Sequence, residues 1–177
     1  GIASFTRDLS AASTVPDDGA PPMIIAVSDP GGQYEYPREV QYEIRQGVKG
    51  DYARAAEFLN YSDVRLVSIQ HEHGIFGGDD GAYILDLLTA LRAPAIATLH
   101  TVLKRPSDSQ RAIIQSMSRE CARLVVMSEV AADLLVLGLV DHAHAALGEL
   151  AHDVVAAQHV ADQRGVTGGA RCGAVAA

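Results

Sequence analysis

The run "VRLVSIQHEHGIFGGDDGAYILDLL", residues 64–88, decides how this chain is read. Its first seven residues form a compact apolar stretch of the kind that makes a buried strand. Its last part places Ile84, Leu87 and Leu88, with Leu91 beyond it, at the spacing of one helical face. Between them lie His71, Glu72 and His73, the pair Gly77 and Gly78, and two aspartates. A strand, a polar turn and a helix in that order make half of a βαβ unit.

The same rhythm extends in both directions. Before it, "MIIAVSD" reads as a buried strand, "DPGGQYEYP" as a loop and "EVQYEIRQ" as a half-exposed strand, because Val40, Tyr42 and Ile44 alternate with polar neighbours. Asp51 is placed to cap a helix whose apolar face is Tyr52, Ala55, Ala56 and Leu59. After it, Pro94 opens the strand "AIATLH", and Ser107 with Gln110 forms a capping box ahead of Ile113, Ile114, Met117 and Cys121. "RLVVM" is one more strand, and Ser128 is placed to cap a helix through Leu135. A short amphipathic helix is expected over residues 4–13, with Phe5, Leu9 and Ala12 on one face, broken by "TVPDDGAPP". Apolar strands alternating with helices every ~30 residues predict an α/β fold, a Rossmann-like doubly wound parallel sheet.

Composition narrows the function. With 177 residues and 48% hydrophobic content the chain can bury one real core, and a net charge of −8 without basic blocks argues against a nucleic-acid partner. No apolar run approaches the ~20 residues that span a bilayer, so no transmembrane segment is expected. Two cysteines cannot form a disulfide framework; Cys121 reads as a small buried hydrophobe, and a reducing cytoplasm fits. From Gly138 the texture changes: residues 138–177 are rich in Ala, Gly and Val, hold four of the seven histidines and show no clear strand. The expected organisation is therefore an α/β domain over 1–137 and an atypical tail over 138–177.

Ligands of open α/β sheets bind beyond the carboxyl ends of the strands. Three consecutive strands send ionisable or hydroxyl groups to that edge: His71, Glu72 and His73 after the first, His100 and Thr101 after the second, Ser128 and Glu129 after the third. As a metal site, His71 and His73 lack converging ligands, and on an extended segment their rings point to opposite sides, so no metal is expected. The "GIFGGDDG" turn has the glycines of a phosphate cradle, but Asp79 and Asp80 repel an anion, so helix capping is the favoured reading. Gly1 precedes a helix and is a weak anion candidate. His100 is either a group poised to contact a sugar hydroxyl near neutral pH or a structural histidine, and chain position does not separate the two. For Ser128 and Glu129 the cap reading is favoured.

Four segments, "GIASFTRDL", "QHEHGIFGGDDGAYILDLL", "TLHTVL" and "LVVMSEVAADLL", occur in an order that resembles the amino-terminal domain of the retaining group 1 glycosyltransferases (family 4, GT-B fold). The likeness covers about residues 1–135. It implies transfer of a sugar from a nucleotide-diphospho-sugar to a glycan, lipid or small-molecule acceptor, with retention and no cofactor or obligatory metal. It implies His100 as the catalytic residue beside the transferred sugar and Gly1 in the glycine loop near the donor diphosphate. His71, Glu72, Gly77, Gly78, Thr101, Ser128 and Glu129 then border the acceptor side of the cleft. The same resemblance expects a first strand ahead of Gly1 and a nucleotide-holding second domain after residue 135, carrying two glutamates eight residues apart. Glu35 and Glu43 have that spacing but bracket a loop and a strand, a chance match. The chain is thus expected to be an incomplete amino-terminal domain, inactive alone, cytoplasmic or peripheral to a membrane, with a tail that reads as frameshifted. Omission of the first strand is expected to leave its neighbours unpaired in the sheet. Two other classes stay open: a single-domain sugar- or nucleotide-binding module without turnover, and a metal-dependent hydrolase using His71 and His73.

Overall fold

The computed structural model describes residues 1–13, 22–62 and 64–138, together with the backbone of two short strands at 154–156 and 172–176. Five helices, α1 (Ile2–Ala12), α2 (Lys49–Tyr61), α3 (Ile84–Ala90), α4 (Asp108–Glu120) and α5 (Glu129–Gly138), alternate with strands. The strands are β1 (Met23–Ser28), β2 (Val40–Arg45), β3 (Leu66–His71), β4 (Ala95–Leu99), β5 (Arg123–Val126), β6 (Val154–Ala156) and β7 (Cys172–Ala176). Every pairing is parallel, and the order across the sheet is β2-β1-β7-β3-β4-β5-β6. The mixed α/β class with parallel strands is what the alternating apolar runs predict.

Burial explains why these segments pair as they do. β1 is buried along nearly its whole length, whereas β2 alternates and lies at the sheet edge, which accounts for its polar Gln41, Glu43 and Arg45. One face of the sheet, with Ile25, Ile44, Val67, Ile69 and Leu99, packs against Tyr52 and Leu59 of α2, Leu87 of α3 and Met117 of α4. α2 touches α3 and α3 touches α4, so these helices form one layer. α1 packs against β7 and brings Phe5 to His100.

Two expectations change here. The tail carries strands after all, and β7 lies between β1 and β3, pairing Gly173 with both Met23 and Val67. The central position expected to stay open is filled from within the chain. Five residues of "CGAVA" give too short a signal to read as a strand, because a central parallel strand needs only small apolar side chains and carries no alternation. The break expected after α1 lies outside the described residues except for Pro22.

Asp51 is the second change. The residue preceding α2 is Val48, and Asp51 sits in the first turn, 3% exposed. Its carboxylate accepts from the Arg45 backbone N–H at 3.2 Å, from Arg45 Nε at 2.7 Å and Nη2 at 3.0 Å, and from Arg54. The Arg45 guanidinium holds this carboxyl well below the usual carboxylate range. An acid in the first turn also complements the helix dipole, so the sequence signal was sound and only its position differed. The capping box of Ser107 and Gln110 on α4 is present, as is the Ser128 cap of α5, whose Oγ accepts from Ala131 N–H at 3.2 Å.

The turn after β3 is held by one tyrosine. The fully buried Tyr52 hydroxyl donates to the Gln46 carbonyl at 3.0 Å and accepts from the Gly77 N–H at 2.7 Å. A β-carbon on Gly77 would lie 1.9 Å from that same Gln46 oxygen. Gly78, at φ +81°, packs against the Tyr83 ring, where a β-carbon would come within 2.6 Å. Gly77→Ala is therefore expected to cost more than about 2 kcal/mol, since backbone must move to admit a methyl. Gly47→Ala, where a β-carbon meets nothing within 4 Å, should cost less than about 0.5 kcal/mol. Urea unfolding of both variants checks this, and equal costs would mean that close approach is not what requires glycine at 77.

Candidate functional site

Strand alternation sorts the polar groups at the carboxyl edge. Val67, Ile69 and His71 of β3 face the α2–α3 layer, so Gln70 must face the other side. Gln70 is 0% exposed, and its Oε1 lies 3.0 Å from His100 Nε2 while its Nε2 donates to Ser68 Oγ at 3.0 Å. With the amide oxygen facing it, His100 bonds Gln70 as the tautomer protonated on Nε2, which leaves Nδ1 as an acceptor. Phe5 meets the His100 ring edge to face at 5.0 Å. Burial lowers the pKa of His100, with the Glu72 charge acting the other way, so the ring is neutral at pH 7.

A second pair closes the edge. Thr101 Oγ1 donates to Glu72 Oε2 at 2.6 Å, and the other carboxylate oxygen accepts the His73 N–H at 3.1 Å. This carboxylate ties the end of β3 to the segment leaving β4, as does the His100 N–H, which donates to the His71 carbonyl at 2.9 Å. His100, Thr101 and Glu72 therefore converge, with Gln70 and Phe5 as partners. Neither partner was singled out as a site residue from sequence. The signal for Gln70 was available: a polar residue at a strand position whose neighbours are buried has to find a partner.

The remaining candidates lie elsewhere. Gly1 precedes α1, is exposed, and its carbonyl accepts from the Phe5 N–H at 3.1 Å, so the first turn of α1 lies close to His100. Gly77 and Gly78 serve the packing described above. Ser128 caps α5, and Glu129 is exposed in its first turn. His71 does not reach the cleft: it is 0% exposed, stacked on Phe76 at 5.9 Å and edge-on to His73 at 5.2 Å. The two imidazoles were expected on opposite sides, but the chain turns directly after His71, so strand alternation no longer applies and the rings meet. Among the described residues no group of three or more His, Cys, Asp or Glu is placed to hold a metal ion. Cys121 is buried at the end of α4, and burial pushes its thiol up to about 12, which keeps it unreactive.

No protein-family model matches this sequence, and neither a curated protein nor a solved structure matches it.

His71 makes the edge sensitive to acid. Neither of its ring nitrogens has a hydrogen-bond partner among the described residues, and burial, with the nearby His73 and His100, pushes its pKa down to about 3. A depressed histidine pKa contributes stability that is present above the unfolded value of about 6.5 and lost as pH falls toward the folded one. Between pH 7 and 4.5 the protein should lose on the order of 2 kcal/mol through this group. His71→Leu should be at least as stable at pH 7, where it removes a buried polar ring without partners, and should flatten the pH dependence. Urea midpoints at the two pH values test it; an unchanged slope in the variant would place the acid sensitivity in other groups.

Proposed function

We propose that this chain is the acceptor-side domain of a retaining glycosyltransferase, which moves a sugar from a nucleotide-diphospho-sugar to a glycan, lipid or small-molecule acceptor. The observation that carries the reading is the convergence at one sheet edge of neutral His100, oriented by Gln70, the Thr101–Glu72 pair and the first turn of α1. Free N–H groups and the dipole of α1 suit a diphosphate. His100 lies beside the transferred sugar, where an imidazole of fixed tautomer orients a hydroxyl. Glu72 and Thr101 form the acceptor border. In this reading a second domain holds the nucleotide and meets much of the leaving-group charge, so the isolated chain transfers negligibly. The reaction belongs in the cytoplasm or at a membrane surface; no described helix is long and apolar enough to cross a membrane.

A single-domain sugar- or nucleotide-binding module is the second reading, favoured by β6 and β7, which extend and fill the sheet from within this chain. Both readings predict that UDP-glucose or GDP-mannose shifts the amide resonances of residues 1–5, His100 and Thr101, and that His100→Ala weakens the response. Release of nucleoside diphosphate after fusion to a nucleotide-binding partner domain separates transfer from mere binding. No shift at this edge with either donor defeats both readings, and stoichiometric metal in the purified protein would favour hydrolysis.

A further inference from the structure

We infer that the loop leaving β1, residues 29–37, is a saccharide platform on which one pyranose ring of a neutral, multi-ring ligand stacks against Tyr34. The inference deepens the proposed function by naming the acceptor class, and it holds equally for a binding module. The loop carries two tyrosines whose ring centroids are 5.6 Å apart and tilted by 32°. Tyr34 is 52% exposed, although a paired aromatic of this size is usually covered. Tyr61 is more exposed but stands at the end of α2 without an aromatic partner among the described residues, and it carries no such inference.

Both rings are fixed before any ligand arrives. The Tyr34 hydroxyl donates to Asp29 Oδ1, and the ring lies so close over Gly32 that a β-carbon there would meet Cε2 at 2.3 Å. The Tyr36 hydroxyl lies 2.6 Å from Ser28 Oγ, which in turn donates to Glu43 Oε1 at 2.5 Å. Pro30 and Pro37 bracket the loop and reduce its freedom in the unfolded chain. A rigid, exposed ring with tethered hydroxyl loses little entropy on binding.

The chemistry selects the ligand. An aromatic face is electron-rich and accepts the polarised C–H face of a sugar ring. Asp29 and Glu43 hold the platform's hydroxyl network and Glu35 lies exposed within the loop, while the flanking Arg38 and Arg45 are paired with Glu39 and Asp51, so the carboxylates are left to accept hydroxyl protons and to disfavour a phosphate. A neutral saccharide fits; a nucleoside diphosphate does not. Because all strands are parallel, this loop leaves the same sheet edge as His100. It stands three strand spacings from β4, about 14 Å, which a ligand of more than one ring spans.

The sequence contains no tryptophan, so Tyr34→Trp creates a single reporter in a chain with six tyrosines. Titration with methyl α-D-glucopyranoside, methyl α-D-mannopyranoside, maltose and cellobiose should give a saturable emission change, tighter for a disaccharide than for the methyl glycosides. Saturation-transfer NMR on the wild-type chain should show the same order. Tyr34→Ala should bind roughly tenfold more weakly, while Tyr34→Phe should retain binding, since the face and not the hydroxyl makes the contact. Absence of any saccharide response in both wild type and Tyr34→Trp overturns the platform, as does a saturable response to UMP alone. A null at Tyr34 with the nucleotide-sugar response at His100 intact overturns the platform only. A null at His100 with saccharide binding at Tyr34 intact overturns the proposed transfer and not the platform.

Discussion

The alternation of side chains along β3 is the constraint on which the site depends. Successive residues at its end alternate: Ile69 and His71 go into the α2–α3 layer, and Gln70 between them goes to the α1 face. A one-residue slip in register would exchange these destinations, placing Gln70 in an apolar layer without a partner and carrying Ile69 to the His100 side. Pairing with β4 from Val67–Ala95 to His71–Leu99 fixes the register, and His100 then falls one residue beyond the last pair, beside Gln70. The pairing of His100 with Gln70 is therefore set by strand register.

Beyond β3 the chain must turn at once, and the turn is made possible by close backbone approach. Tyr52 supplies one hydroxyl that both accepts from Gly77 and donates to Gln46, and the Gln46 side chain donates to the Gly74 and Ile75 carbonyls at 2.8 Å each. These bonds satisfy backbone groups that the turn would otherwise leave unpaired within the protein, the buried Gly77 N–H among them. The glycines that resemble a phosphate cradle are thus consumed in holding the turn against β2. Asp80, at φ +53°, continues the lock by accepting from Ser107 Oγ at 3.0 Å and Gln110 Nε2 at 3.3 Å at the start of α4. An anion at this turn would compete with contacts that the fold already uses.

Legibility in the sequence depended on how local the cause was. β1, β3, β4 and β5 were visible because each is a short apolar run between turn signals, and the capping box of α4 because Ser107 and Gln110 lie three apart. His100 and Thr101 were found from their position after a strand. His71 was misplaced because an H-x-H pattern says nothing of where the strand ends, and one residue separates a cleft side chain from a core one. Asp51 was expected at the cap because its partner, Arg45, lies in a different element and no spacing rule points to it. Gln70 and β7 depended on tertiary neighbours: a buried amide declares itself only once His100 is beside it, and a five-residue strand only once β1 and β3 flank it.

The charged groups differ between the two ends of the edge. Around β1 stand the carboxylates of Asp29, Glu35 and Glu43, while the basic groups there, Arg38 and Arg45, are paired with Glu39 and Asp51. Around β4 the groups are a neutral imidazole, a helix amino end and a carboxylate already bound to Thr101 and the His73 N–H. An anionic group is repelled at the first end and met by free N–H groups at the second; a hydroxyl-rich neutral ring finds acceptors and an aromatic face at the first. A ligand pair consisting of one phosphorylated sugar and one neutral saccharide would therefore be oriented along the sheet edge by electrostatics before any close contact formed, with the anionic partner at α1. Reversal of that order would require an unpaired basic group at the first end, whereas Arg38 and Arg45 there are paired with Glu39 and Asp51.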